Sequence, residues 1–187
     1  MHADLILVCH ASTQAVRSGA FPADESLDGT GEADALGLAT TLRPANRALC
    51  APSIAARQTA SALGLEAHVE PMIRDLDIGR WAGRPVAEVA QFEPEAFGLW
   101  MTDVKSAPHG GEALADLLQR VAVWVHEIGR TPGRTIAVTH SAVIRGAIIG
   151  ATEATEATFW HLDIGPLSRT WLRSNGDRWA LRSLTPG

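Results

Sequence analysis

The chain has no tyrosine, only two cysteines, and no apolar stretch long enough to span a bilayer. A membrane-crossing helix needs ~20 consecutive apolar residues. The early apolar run Leu5–Val8 is far shorter and Asp4 interrupts its start, so it is not the core of a signal peptide either. Cation excess is also missing. Lys and Arg together number 16 against 21 Asp and Glu, a formal charge of −5, which argues against a nucleic-acid partner because such proteins show a basic face. Repeats, linkers and low-complexity tracts are absent; Ala151–Thr158 is polar and repetitive but short. Two cysteines without a targeting segment fit a reducing compartment. These absences lead to the expectation of a cytoplasmic protein acting on a small molecule, with no membrane or nucleic-acid partner; a homodimer is left open.

What is present fits one compact unit. The 187 residues, 46% hydrophobic and 20% charged, are ordinary for a globular domain, and a single α/β domain over 1–187 is expected. A chain of this size buries well over half its surface and needs no disulfide staples. Strands are expected at Leu5–Cys9, Arg47–Cys50, Ala67–Val69, Thr135–Thr139, Phe159–Asp163, Ser168–Arg173 and Trp179–Ser183. Helices are expected at Gly31–Leu42, Ile54–Leu63, Val86–Phe92, Glu95–Met101, Glu112–Ile128 and Ala142–Gly150. The stretch from Glu112 carries the strongest amphipathic signal, with Leu114, Leu117, Leu118, Val121, Val125 and Ile128 at helical spacing. Asn175-Gly176 between two strand-like runs signals a hairpin. Strand–helix alternation ending in a hairpin implies an α/β fold in three layers, a mostly parallel sheet with helices on both faces.

The chemistry is written at strand ends. Leu5-Ile6-Leu7-Val8-Cys9 runs into His10, then Ala11, Ser12 and Thr13. Thr135-Ile136-Ala137-Val138-Thr139 runs into His140 and then Ser141, which opens a helix. Ligands of open α/β sheets bind at the carboxyl ends of strands, so His10 and His140 are expected in one site.

At these residues the chain resembles the histidine phosphatase superfamily (phosphoglycerate-mutase-like), whose members begin with a strand ending in Arg-His-Gly-Glu-Thr and carry a second strand-end His. Asp28 with Gly31 and Ala35 is similar to the family's Leu-Thr-x-x-Gly-x-x-Gln-Ala segment. Ala51-Pro52-Ser53-Ile54-Ala55-Ala56-Arg57-Gln58-Thr59-Ala60 resembles Ser-Pro-Leu-x-Arg-Ala-x-Gln-Thr-Ala. Asp75-Leu76-Asp77-Ile78-Gly79-Arg80-Trp81-Ala82-Gly83 resembles Glu-x-x-x-Gly-x-Trp-Glu-Gly, and Pro108-His109-Gly110-Gly111-Glu112 resembles Pro-x-Gly-Glu-Ser at a helix start. The resemblance covers nearly the whole chain. It implies a phosphatase-like fold in which His10 takes a phosphoryl group, His140 steadies its oxygens and Asp75 donates a proton to the leaving group, with Asp77 as a local rival.

The departures are chemical. Cys9 and Ala55 stand where the family carries its two phosphate-gripping arginines, and Val16 where it has asparagine. Arginine matches phosphate with a planar fork that Cys and Ala lack. Arg17 is a candidate replacement, expected on a loop; Arg57, about 200° round the same helix from Ala55, is a weaker one. Beside His10, His140 and Asp75, the expected substrate-binding residues are Cys9, Ser12, Thr13, Arg17, Trp81, His109, Glu112 and Ser141. The remaining tryptophans are assigned to packing.

Cys9 and Cys50 end what are expected to be neighbouring strands. A zinc or thiolate site next to His10 is conceivable there, but two small buried hydrophobes are the favoured reading and no metal or other cofactor is expected. Three functions follow: hydrolysis of a small phosphorylated metabolite through a phosphohistidine at His10; acid–base chemistry by His10, His140 and Asp75 on a substrate without phosphate; or a non-catalytic binding protein.

Overall fold

The computed structural model describes residues 2–176 and 178–187. In chain order its strands are β1 (Ala3–Cys9), β2 (Arg47–Cys50), β3 (His68–Val69), β4 (Gly133–Thr139), β5 (Arg169–Ser174) and β6 (Trp179–Thr185). The helices are α1 (Gln14–Ser18), α2 (Gly29–Ala39), α3 (Ile54–Ala62), α4 (Val86–Phe92), α5 (Pro94–Thr102), α6 (Leu114–Gly129) and α7 (Ser141–Thr152).

The strands form one mixed α/β sheet in the order β3-β2-β4-β1-β5-β6. β3, β2, β4 and β1 run parallel, whereas β5 is antiparallel to β1 and β6 antiparallel to β5. Leu5, Leu7 and Val8 are all fully buried although neighbouring residues of a strand face opposite sides, so β1 is covered on both faces. α6 and α7 pack on each other and against β1, and α3 packs on β2, β4 and α2. The hairpin expected at Asn175-Gly176 joins β5 to β6, with the Asn175 amide donating to the Arg178 carbonyl. Among the described residues no helix is long and apolar enough to cross a membrane.

Register positions the site. Cys9 pairs with Thr139, so the residues leaving β1 and β4 are His10 and His140, side by side at the carboxyl edge of the sheet. Cys50 pairs with Val138, and the turn after β2 therefore opens beside His140.

Four expectations are corrected here. β4 lies between β1 and β2, so Cys9 and Cys50 are not on neighbouring strands. Phe159–Asp163 is not a strand: Glu156–His161 winds as a 3-10 turn over α7, with the Arg145 guanidinium 5.3 Å above the Phe159 ring and bonded to the Leu162 carbonyl. Burial of Phe159 against α7 outweighs its β propensity. The expected strand Ala67–Val69 shortens to His68–Val69. Arg17 lies not on a loop but on α1, a single turn capped by Thr13 and stopped by Gly19 at φ 64°.

Candidate active site

The cleft at the carboxyl edge holds about 290 Å³ and is lined by His10, Thr13, Asp75 and His140 among the expected residues, and by Ser53, Asp24, Glu25, Arg74 and Asp77 as well. His10 and His140 face each other edge to face, ring centroids 5.0 Å apart. His10 Nδ1 lies 2.8 Å from the Ala11 carbonyl. A carbonyl accepts only, so Nδ1 carries the proton and Nε2 keeps its lone pair. Burial, with the positive potential of His140, holds the His10 pKa below its ordinary value and keeps the ring neutral at pH 7.

His140 is bracketed. Its Nε2 lies 3.0 Å from Ser53 Oγ, and Asp75 Oδ2 lies 3.2 Å from its Nδ1, close but off the N–H axis. Burial works against the Asp75 carboxylate, but His140, His10 and the Leu76 amide outweigh it, leaving the carboxyl below its usual range. The backbone that carries Asp75 is pinned from behind: Arg120 donates to the carbonyls of Met72 (2.8 Å) and Asp75 (3.0 Å) while its fork grips Glu112 at 2.7 and 2.8 Å. The loop after Asp75 rests on backbone: a Cβ on Gly111 would lie 2.1 Å from the Asp77 carbonyl, so only glycine permits that approach.

Thr13 faces the cleft and donates to Glu25 (2.8 Å), which also accepts from the Ala23 amide. Burial raises the Glu25 pKa, yet these donors prevail and hold it below the usual range.

Several expected binding residues stand outside the cleft. Cys9 is buried beneath it, and burial pushes its thiol up to about 12, which excludes a resting thiolate. Cys50 is also buried with a raised pKa, caused by burial. Among the described residues no group of three or more His, Cys, Asp or Glu side chains is arranged to hold a metal ion. Ser12 turns away to donate to Asp28 (2.9 Å). Arg17 follows it, 3.9 Å from Asp28 with its side chain 58% exposed, so it does not occupy the place of a lost arginine. Arg57 is exposed and lines a separate hollow beside Cys50.

Trp81 is fully buried, stacked on Phe21 and edge-on to Trp100 and His109, with its Nε1 donating to Glu93. His109 is equally enclosed, its Nδ1 accepting from the Gly111 amide. Both form the floor behind the site rather than its wall. Glu112 is consumed by Arg120 and Arg74, and Ser141 begins α7 outside the cleft lining.

Sequence reasoning missed Ser53, Asp24, Glu25 and Arg74. Ser53 was legible as an N-cap before the α3 run, but nothing in one dimension places it on His140. Asp24 caps the same helix by accepting from the Ile54 amide at 2.7 Å. Arg74 is the one guanidinium among the described cleft-lining residues, and it is tied to Glu112 at 2.9 Å.

Comparison with known proteins identifies the family and the fold. The family described as the histidine phosphatase superfamily (branch 1) matches residues 5–186. A bifunctional protein of Mycobacterium tuberculosis is 32% identical over 113 residues, which span 58% of this chain but 31% of that protein's length. The adenosylcobalamin/alpha-ribazole phosphatase of Salmonella typhimurium is 27% identical over 172 residues, 86% of this chain and 85% of the relative. Among solved structures, a mycobacterial glucosyl-3-phosphoglycerate phosphatase superposes with a TM-score of 0.87 at 23% identity, covering 100% of both chains. At that identity the likeness speaks for the fold.

Proposed function

The chain belongs to the histidine phosphatase superfamily, and on that premise we propose that it hydrolyses a small phosphorylated metabolite through a phosphohistidine at His10. The observation that carries this reading is the His10 ring: Nδ1 is tied to the Ala11 carbonyl, and a neutral Nε2 is left as nucleophile beside His140. Nε2 attacks phosphorus as the bond to the leaving oxygen breaks. Asp75 is ionised in the free protein; a phosphate dianion entering beside it raises its proton affinity and loads it with the proton the leaving oxygen takes. Water then attacks the phosphohistidine and releases phosphate. Named relatives being phosphatases supports the same reading.

Phosphate release from a panel of phosphomonoesters, wild type against His10→Ala, tests it. Release that disappears in the variant is expected; no release from the wild type overturns it.

A second reading, hydrolysis of a substrate without phosphate, is favoured by one observation. The carboxyl groups of Asp24, Glu25, Asp75 and Asp77 line the cleft, with Arg74 the one guanidinium among the described lining residues. Phosphoryl transfer rests on stabilising spread negative charge, and one lost donor costs ~10²–10³ in rate. Vanadate binding, which demands cations, separates the two readings.

A further inference from the structure

The contact between Ser53 and His140 is not needed by phosphoryl transfer through His10. Ser53 follows the turn after β2 and is the N-cap of α3, its Oγ accepting from the Ala56 amide at 3.3 Å. Capping explains that bond. It does not explain why the same Oγ also sits 3.0 Å from His140 Nε2, nor why the opposite nitrogen faces Asp75 at 3.2 Å. The motif this segment resembles has leucine at that position, so the hydroxyl is a feature of this chain.

The charges around the ring favour one direction for each proton. With the acceptor-only Asp75 carboxylate 3.2 Å from Nδ1, although off the N–H axis, electrostatics favours the hydrogen on His140 Nδ1; Nε2 is then the acceptor and the Ser53 hydroxyl donates to it. A nucleophile within reach of a base, and the base oriented by a third group, is the arrangement of serine hydrolases. The three side chains come from the turn after β2, the loop at Asp75 and the end of β4, and all three line the cleft. The Ala56 N–H already points at Oγ, where it favours negative charge as the proton leaves. Ala55, the next residue of α3 lining the cleft, lies in the first turn, whose amides have no acceptor within their own helix and so are available to an oxyanion.

We propose that Ser53, His140 and Asp75 act together as nucleophile, base and orienter in a second hydrolytic activity of this cleft, on small uncharged or cationic carboxylic esters. This rests on the cleft being hydrolytic, and not on phosphohistidine chemistry. Ser53 Oγ attacks the acyl carbon while its proton passes to His140 Nε2. The bond from the acyl carbon to the alcohol oxygen breaks as His140 returns that proton to the alcohol. Water then attacks the acyl-Ser53 ester with His140 again taking a proton, the carboxylic acid leaves, and the Ser53 hydroxyl is restored. The four carboxyl groups that line the cleft favour uncharged or cationic esters, whereas a phosphate dianion enters with a proton taken up at Asp75.

The test is labelling with an alkyl fluorophosphonate, followed by peptide mass mapping and turnover of p-nitrophenyl acetate. The expected result is an adduct on Ser53, absent from Ser53→Ala and Ser53→Asn, with turnover lowered ~10²-fold or more in both. Asparagine keeps an N-cap acceptor, so its melting temperature stays near that of the wild type while the nucleophile is gone. An unlabelled Ser53 in folded protein, an adduct on another residue, or wild-type turnover by Ser53→Asn overturns the proposal. Phosphate release from p-nitrophenyl phosphate, read on the same preparations, tests the His10 reading and not this one, so either fails alone.

Discussion

Two adjoining regions treat charge in opposite ways. On the flank, Arg80 and Arg84 converge on Glu93, which also receives the Trp81 indole, and Arg120 and Arg74 converge on Glu112. In the cleft beside it, carboxyl groups, two imidazoles and a hydroxyl meet with Arg74 as the one cation among the described lining residues, already shared with Glu112. The molecule does not lack arginine near its site; it uses arginine to fix the loops that carry Asp75 and Trp81. Each of these carboxylates holds two guanidiniums, so Arg74, its side chain 47% exposed, can turn toward a ligand while Arg120 stays on Glu112. At rest the cleft therefore presents imidazole, hydroxyl and carboxylate groups, with Arg74 the one described guanidinium at its wall.

The sharpest way to break this contrast is at Asp75. Asp75→Asn keeps the shape but leaves His140 Nδ1 without a carboxylate, and turnover of both phosphate and acetate esters is expected to fall ~10²–10⁴-fold with little change in melting temperature. An unchanged rate would mean that Asp75 orients nothing.

On the flank, Arg120→Ala leaves the half-buried Glu112 with Arg74 alone and frees the backbone of Met72 and Asp75. Losing these charge-assisted hydrogen bonds, with Glu112 still paired to Arg74, is expected to cost ~1.5–3 kcal/mol, measurable by denaturant unfolding.

Importing flank chemistry into the cleft should do the reverse. Ala55 lines the cleft, so Ala55→Arg is expected to tighten vanadate binding and raise phosphate release by ~10²-fold. Cys9→Arg would instead drive a charge into a buried site and destabilise the fold.

A smaller effect concerns pH. Burial and His140 hold His10 below its ordinary 6.5, so kcat/KM through this ring persists as pH falls to 6.5 and declines only below it. The sign for stability is the same: the unfolded chain takes up the proton first, so this contribution is complete above 6.5 and is lost as pH drops below. An acid limb above 6.5 in the pH–rate profile would contradict the assignment.

Much of this arrangement was legible before folding. The β2 strand and α4 have the boundaries their patterns imply, and the strand-end histidines meet because parallel register carries β1 and β4 to the same edge. Periodicity reports which face of an element is apolar, but not which strand lies beside which. That is why the insertion of β4 between β1 and β2 was not foreseen. α1 was missed because five residues with no buried member carry no periodic signal. Arg17 was misplaced because Asp28 and Thr30 hold it at the start of α2. Ser53 carries a local signal, the helix cap, that fully accounts for it until the three-dimensional contact with His140 is seen.

The central claim is that His10 is the nucleophile of phosphoryl transfer in this cleft. It is tested most directly by quenching the enzyme in alkali during turnover of a phosphomonoester and mapping the trapped phosphoryl group by mass. The account predicts an alkali-stable phosphohistidine at His10, absent from His10→Ala. A phosphoryl group on Ser53, or turnover with no covalent phosphoryl-enzyme at all, would contradict it.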